Sequence, residues 1–213
     1  MKSEKYIIEV VNAVKKYKET IAVNDVSLNF ERNKITGIIG RNGSGKTVLL
    51  KCICGLTKLS SGKIMVDGKI IGRDIETPKS IGVIIETPGF IQEFSGLKNL
   101  EILYMMNNKK DKEKLKEVMR TVGLNPDDKK RVSKYSLGMK QRLGIAQAIM
   151  ENPDILILDE PTNALDKHGV DEFRQLLLKL KGEGKTIIIA SHNSADIELL
   201  CDTVYELDGG KII

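Results

Sequence analysis

The chain has 213 residues, 41% of them hydrophobic and 30% charged, a balance that is ordinary for a globular protein and excludes a disordered or fibrous one. Its net charge of +5 is mild, Trp is absent and aromatic residues make up 4%, so the composition argues against a nucleic-acid-binding surface. The first residues lack the apolar segment of a signal peptide, and no apolar run approaches the roughly 20 residues that span a bilayer. We therefore expect a soluble, cytoplasmic chain with no nucleic-acid partner.

The N-terminal part of the chain predicts an antiparallel β layer. The segments YIIEVVNAVKKY (6–17) and IAVNDVSLNF (21–30) are rich in β-branched residues and predict extended strands. The segment GKIMVDGKII (62–71) predicts a hairpin, because Asp67-Gly68 supplies the two positive φ angles of a type I′ turn.

Four further apolar runs predict strands of a different kind, at 35–40, 81–85, 154–160 and 186–191. None alternates polar with apolar residues, which is typical of parallel strands that helices cover on both faces. Helical patterns separate these runs, at 45–55, 138–151 and 170–182. The sequence therefore predicts an α/β fold with a mainly parallel sheet.

Residues 90–153 carry helical periodicity and no strand signal, for example in LKNLEILYMMNN and KDKEKLKEVMRTVG. A helical stretch of this length between two core strands predicts an inserted helical subdomain. We interpret residues 1–213 as a single domain, with 1–89 and 154–213 forming the core and the β layer.

The segment GRNGSGKT (40–47) fits the phosphate-binding loop G-x-x-x-x-G-K-[ST], and it follows an apolar strand and opens a helix. The glycines let backbone N–H groups surround phosphates at a helix N-terminus, while Lys46 reaches the β- and γ-phosphates and Thr47 ligates Mg²⁺. A glycine-rich turn before a helix is the plainer alternative. The strand–loop–helix context favours binding of ATP or a similar nucleotide with Mg²⁺.

Two other strand ends carry groups that suit phosphate chemistry. Asp159 ends a buried strand, where a carboxylate is costly unless it meets a cation such as the Mg²⁺ bound by Thr47. Glu160 follows it and is placed to act as a general base on water, although strand-end solvation is the simpler alternative. His192 ends the last run, where it faces the ligand crevice of a parallel sheet, but a single His is more often structural.

The stretch SKYSLGMKQRLGIAQAIMENPDILILDEPTNALD (133–166) is the discriminating one. Ser136 and Gly138 stand at the start of a helix whose N-terminus is able to receive an anion. Followed by QR and then by ILILDEPTNALD, this region resembles the signature region of ATP-binding cassette (ABC) ATPases. The resemblance extends over essentially the whole chain, because six separate motifs occur in order.

This resemblance implies an ATPase with specific site residues. Tyr17 corresponds to the aromatic residue that stacks on adenine, Glu86 to the loop glutamine that senses Mg²⁺ and touches the membrane subunit, and residues 163–166 to the loop that crosses the dimer interface. The residues expected to contact the nucleotide are Tyr17, Gly40, Arg41, Asn42, Gly43, Ser44, Gly45, Lys46, Thr47, Val48, Ser136 and Gly138. Those expected at the metal are Thr47, Glu86 and Asp159, and those expected to act in catalysis are Lys46, Glu160 and His192.

The family resemblance also implies partners. Two such cassettes enclose two ATP molecules head to tail, each between one subunit's phosphate loop and the other's signature helix. A separate transmembrane permease holds the pair at the inner face of the cell membrane. ATP binding then closes the dimer and hydrolysis releases it.

Two departures from the family pattern suggest a subgroup. The usual signature LSGGQ is YSLGM here, with Leu137 and Met139 in place of Gly and Gln, and the usual loop glutamine is Glu86. Both substitutions resemble those of exporters of peptide antibiotics, in the bacitracin and lantibiotic group.

Two other ABC classes fit this sequence less well. DNA-maintenance ATPases separate the phosphate loop from the signature by long coiled coils, whereas this chain places the two motifs close together without sustained heptads. Translation-factor ABC proteins carry two cassettes in one chain, and one is present here. The sequence thus favours the ATPase subunit of an exporter.

Overall fold

The computed structural model describes residues 5–192 and 194–213. Its strands are β1 (Tyr6–Tyr17), β2 (Thr20–Glu31), β3 (Ile35–Ile39), β4 (Ser61–Val66), β5 (Lys69–Ile70), β6 (Ile81–Ile84), β7 (Ile155–Asp159), β8 (Thr186–Ala190), β9 (Thr203–Asp208) and β10 (Lys211–Ile212). Its α-helices are α1 (Lys46–Ile53), α2 (Gly96–Tyr104), α3 (Lys112–Thr121), α4 (Leu137–Ile149), α5 (Lys167–Gly182) and α6 (Ser194–Leu200), and Val132–Lys134 form a turn of 3₁₀ helix.

The predicted antiparallel layer is a four-stranded sheet with the order β2-β1-β4-β5. The hairpin between β4 and β5 turns at Asp67 and Gly68, whose φ angles of 50° and 76° are both positive, as a type I′ turn requires. The predicted hairpin and its turn type are confirmed.

The second sheet has six strands in the order β10-β9-β3-β8-β7-β6. The five strands β9, β3, β8, β7 and β6 are parallel, and β10 pairs antiparallel with β9. The four apolar runs of the sequence are therefore neighbours in one parallel sheet, as predicted. Because the carboxyl ends of parallel strands meet at one edge, the segments that follow β3, β6, β7 and β8 lie side by side.

The strands of this sheet are buried on both faces. Along β7, Leu156 and Leu158 pack into one hydrophobic core, and Ile155 and Ile157 pack into a second one on the opposite face. The second core also contains side chains of α1 and of the antiparallel layer. The sheet is thus sandwiched, which explains why its strands read as continuous apolar runs.

Between β6 and β7, residues 85–154 are all described and contain three α-helices, the 3₁₀ turn and no strand. The first hydrophobic core joins α2, α3 and α4 to the parallel sheet and to Phe173 and Leu177 of α5. Helical segments here match the sequence prediction, whereas the boundaries of a separate subdomain stay a prediction.

Two predicted helices differ from the structure at their starts. Helix α5 begins at Lys167 instead of residue 170, because the side chain of Asp166 accepts a 3.0 Å hydrogen bond from the Gly169 amide and caps the helix. Helix α4 begins at Leu137, capped in the same way by Ser136, whose hydroxyl accepts from the Met139 amide at 3.1 Å.

Candidate functional site

The loop between β3 and α1 is shaped by its glycines. Gly40, Gly43 and Gly45 have φ angles of 146°, 82° and 106°. At Gly45 a Cβ atom would lie 2.2 Å from the carbonyl oxygen of Ala22, so the backbone can approach this close only without a side chain. Gly45 is the N-cap residue of α1 and contributes no side-chain cap, so the first-turn amides of α1 have no partner within the helix. This geometry is that of an anion-binding helix N-terminus.

Lys46 is the first residue of α1 and is 6% exposed. Its ammonium group donates to the carbonyl oxygens of Gly40 and Arg41 at 2.6 and 3.1 Å, so the side chain folds back over the start of the phosphate loop. These bonds fix the charge of Lys46 at the mouth of the anion site. An ammonium group has three N–H donors, so one of them is left to contact a phosphate.

The hydroxyl group of Thr47 donates a 2.6 Å hydrogen bond to Oδ2 of Asp159 at the end of β7. Asp159 is 8% exposed, and burial raises the pKa of its carboxyl group above its ordinary value. The bond from Thr47 lowers this pKa in turn, and the adjacent carboxylate of Glu160 raises it. Two oxygen groups of the kind that hard cations prefer, from distant parts of the sequence, therefore lie together beside the phosphate loop.

Glu160 and His192 face each other across the ends of β7 and β8. Oε1 of Glu160 lies 2.9 Å from Nδ1 of His192, and Oε2 of Glu160 is buried with no hydrogen-bond partner among residues 5–192 and 194–213. The backbone of Glu160 is left-handed, with φ of 47°, which a residue with a side chain adopts at an energetic cost. Backbone strain of this kind clusters at active sites and ligand-binding sites.

Glu86 follows β6 and also has a left-handed backbone, with φ of 59°. Its carboxylate accepts a 2.6 Å hydrogen bond from the ammonium of Lys51 in the last turn of α1, and its side chain is 65% exposed. The charge of Glu86 adds to the factors that raise the pKa of Asp159. Glu86 therefore lies close enough to interact electrostatically with Asp159, the other carboxylate that was predicted at the metal.

A cleft of about 580 Å³ joins these groups. Its walls include most of the phosphate loop, Glu86, both carboxylates at the end of β7, and part of α4. The lining residues are Ala22, Asn42, Gly43, Ser44, Gly45, Lys46, Thr47, Val48, Glu86, Thr87, Pro88, Leu137, Lys140, Gln141, Asp159, Glu160, Asn163 and Ala164.

Some predicted site residues lie outside this lining, namely Tyr17, Gly40, Arg41, Ser136, Gly138 and His192. Tyr17 ends β1 with a 46% exposed side chain, and the ammonium of Lys15 lies 4.6 Å from the centre of its ring. Its predicted role in adenine stacking stays a prediction. Ser136 and Gly138 stand at the N-terminus of α4, as the sequence indicated, where Leu137 is 75% exposed.

Sequence reasoning missed two contacts of the site. Lys51 gave no motif signal, although a basic residue four positions after Thr47 lies within reach of a neighbouring strand end. Gln141 donates from its amide to the carbonyl oxygen of Pro161 at 2.8 Å, which ties α4 to the segment after Glu160. The pair QR in the signature region was the available signal.

A phosphate loop, two strand-end carboxylates and a parallel sheet define a nucleotide-binding protein of the phosphate-loop ATPase class. Comparison with known proteins agrees: the sequence model of the ABC transporter family matches residues 23–163. The chain belongs to the ABC transporter family. It is the subunit of such a transporter that binds and hydrolyses ATP.

Individual relatives indicate which members of the family this chain resembles. The chain is 44% identical to an uncharacterized ABC transporter ATP-binding protein, YybJ of Bacillus subtilis (strain 168), with 97% of this chain and 94% of the relative covered. It is 42% identical to the bacitracin transport ATP-binding protein BcrA of Enterococcus faecalis, covering 98% and 68% of the two chains. It is 37% identical to the lantibiotic transport ATP-binding protein SrtF of Streptococcus pyogenes, covering 97% and 89%. The predicted likeness to the bacitracin and lantibiotic group is confirmed.

The fold has a close counterpart among solved structures. The dimeric structure of MJ0796, a bacterial ABC transporter cassette, superposes with a TM-score of 0.88 at 25% identity, with 96% of each chain covered. The predicted fold class, an α/β cassette with a mainly parallel sheet and an antiparallel layer, is confirmed. Among the described residues, no helix is long and apolar enough to cross a membrane.

Proposed function

We propose that this chain hydrolyses Mg·ATP as one half of a head-to-tail dimer and thereby drives export of a peptide antibiotic through a separate permease. The observation that carries the proposal is the convergence of Thr47, Asp159 and Glu160 on one cleft beside the phosphate loop. ATP binding belongs to the family, whereas the roles of the individual residues are part of the proposal.

The residues present fit a magnesium ion. Mg²⁺ prefers oxygen ligands and is commonly bound through one or two carboxylates together with substrate phosphates. Thr47 Oγ1 and Asp159 Oδ2 are 2.6 Å apart, so one ion is able to contact both directly or through water. Among the residues that the structure describes, no cluster of three or more His, Cys, Asp or Glu forms a metal site of its own, which agrees with an ion that arrives with ATP. When bound, Mg²⁺ neutralises charge on the phosphates.

In this proposal each side chain has one task. Lys46 and the first-turn amides of α1 bind the phosphates. Glu160 accepts a proton from the attacking water, because it lines the cleft beside the phosphate loop and its Oε1 is held by His192. His192 orients Glu160, in line with the 2.9 Å contact between the two side chains.

The dimer and the permease complete the proposal. Ser136 and Gly138 at the exposed N-terminus of α4 are proposed to contact the ATP of a second subunit, and residues 163–166 to cross the interface. The membrane partner places the chain at the inner face of the cell membrane. A peptide-antibiotic substrate is supported by the two relatives whose names describe bacitracin and lantibiotic transport.

The test combines copurification with turnover. The chain is coexpressed with a candidate permease, a multi-span membrane protein, and the complex is reconstituted in liposomes. We expect ATPase activity that bacitracin or a lantibiotic stimulates and that Glu160→Gln abolishes. Copurification without stimulation by any peptide would contradict the substrate class. Absence of ATP hydrolysis in the complex would contradict the function itself.

A further inference from the structure

The guanidinium group of Arg142 lies where three helices meet. Arg142 is in α4, three residues beyond Met139 of the signature region. Its Nη1 donates to the carbonyl oxygen of Val122, the C-cap residue of α3, at 2.8 Å. Its Nη2 lies 2.8 Å from Oε2 of Glu172 in α5. One side chain therefore joins the signature helix to α3 and to α5 at once.

Two glycines make room for this guanidinium. A Cβ atom on Gly123, just after α3, would lie 2.2 Å from Nη1, and one on Gly169, in the first turn of α5, would lie 2.8 Å from Nη2. The Arg142 side chain is 19% exposed and that of Glu172 is 44% exposed. The guanidinium group therefore lies between two backbone segments, and a side chain on either glycine would displace it.

The electrostatics favour this position of the cation. The C-terminal end of α3 carries the negative end of the helix dipole. The guanidinium group of Arg142 donates to the Val122 carbonyl at this end, so its positive charge lies beside the negative end of the dipole. Glu172 supplies a full negative charge on the other side, and it is also 3.4 Å from His168. Donation from two terminal nitrogens to two separate partners is characteristic of Arg, because its guanidinium group is planar and rigid.

The same helix α4 contacts the segment that precedes α5 at two further points. Gln141, next to Arg142, donates to the carbonyl oxygen of Pro161 at 2.8 Å. A Cβ atom on Gly138 would lie 3.0 Å from the carbonyl oxygen of Ala164, so the start of α4 approaches the backbone of this segment closely. Residues 161–172 are therefore held to α4 at both ends and near the middle.

We infer that Arg142 is a positioning residue that fixes residues 163–166 relative to the signature helix α4 of the same chain. This inference rests on the proposed function, in which both segments face the second subunit. If they move as one body, both segments keep a fixed arrangement toward the second subunit. Loss of the Arg142 contacts would shift the signature helix and residues 163–166 relative to each other and leave the phosphate loop unchanged.

The test separates dimer geometry from nucleotide binding. Arg142→Gln is expected to lower kcat about ten-fold or more, because small misplacements in composite sites are costly. Calorimetric ATP affinity of the monomer should stay within about two-fold of wild type, since the phosphate loop is intact. In a Glu160→Gln background, the same change should weaken the ATP-dependent dimer. Arg120→Gln, an exposed cation on α3, is the matched control and should change neither quantity.

A second variant tests the pairing itself. Glu172→Gln keeps the size of a partly exposed side chain, so it is expected to fold and to give a smaller loss of kcat than Arg142→Gln. The double variant should be no worse than Arg142→Gln alone, since both changes break one contact. Additive losses, a wild-type kcat in folded Arg142→Gln, or a parallel loss of ATP affinity would each overturn the inference. Lack of turnover in the wild-type chain would count against the proposed function instead.

Discussion

Nδ1 of His192 lies 2.9 Å from Oε1 of Glu160, so the segment after β8 holds the carboxylate that follows β7. The remaining oxygen of Glu160 is buried and has no partner among the described residues. Because Glu160 lines the cleft and His192 holds its side chain, the carboxylate is placed to accept a proton from water. The two residues therefore form the centre of the predicted chemistry.

Replacing the proposed base should stop hydrolysis and spare binding. We expect Glu160→Gln to lower turnover by about 10²-fold or more, since the amide cannot accept the proton. The variant should bind ATP normally and accumulate as an ATP-bound dimer, measured by size-exclusion chromatography with and without ATP. Undiminished turnover would remove Glu160 from the role of base.

Removing the charge of the phosphate loop should weaken binding. Lys46→Ala deletes an ammonium group that reaches phosphates by charge-assisted hydrogen bonds, each worth about 1.5–3 kcal/mol. We expect ATP affinity to fall at least about ten-fold by calorimetry, with the fold intact by circular dichroism. Equal affinity in a folded variant would contradict the phosphate-loop assignment.

Mixing two inactive variants tests whether the site is shared between subunits. Ser136→Arg blocks the signature and Lys46→Ala blocks the phosphate loop. In a hybrid dimer both lesions fall on one composite site and leave the other intact. We expect part of the ATPase activity to return on mixing, measured against each variant alone. No recovery would indicate that signature and loop work within one chain.

Helix α5 carries a buried and an exposed leucine at adjacent positions, which allows a controlled test of stability. Leu177 is 1% exposed and packs in the core shared with α2, α3 and α4, whereas Leu178 is 47% exposed. We expect Leu177→Ala to lower the free energy of unfolding by about 2–5 kcal/mol, through lost burial and the cavity left behind. Leu178→Ala should change it by about 0.5 kcal/mol or less. Urea denaturation of both variants decides.

Much of this protein was predictable because its signals are local. The apolar runs, the turn residues Asp67 and Gly68, and the spacing from Gly40 to Thr47 each reflect geometry set by neighbouring residues. The strand order β3-β8-β7-β6 required the parallel pairing rule and the structure together. The contacts of Arg142 and Lys51 were not predictable, because each depends on a distant partner that lies close only after folding.

Glu86 and Lys51 make the last prediction. Their 2.6 Å ion pair holds Glu86 at the edge of the cleft, near the carboxylate of Asp159. If Glu86 serves the Mg²⁺ site, Lys51 competes with the metal for it. Because the pair is partly exposed, with side chains 28% and 65% accessible, its strength is about 0–1 kcal/mol, or at most about five-fold in affinity.

Two substitutions should therefore shift the magnesium dependence of ATPase in opposite directions. Lys51→Met frees Glu86 and should lower the Mg²⁺ concentration for half-maximal activity by up to about five-fold. Glu86→Gln removes the charge and should raise it, while leaving far more activity than Glu160→Gln. The double variant should follow Glu86→Gln, because Lys51 then has no carboxylate to release. A magnesium titration of the three variants measures this. Shifts in the same direction, or none, would show that Glu86 is a solvated strand-end residue whose pairing with Lys51 has no link to the metal.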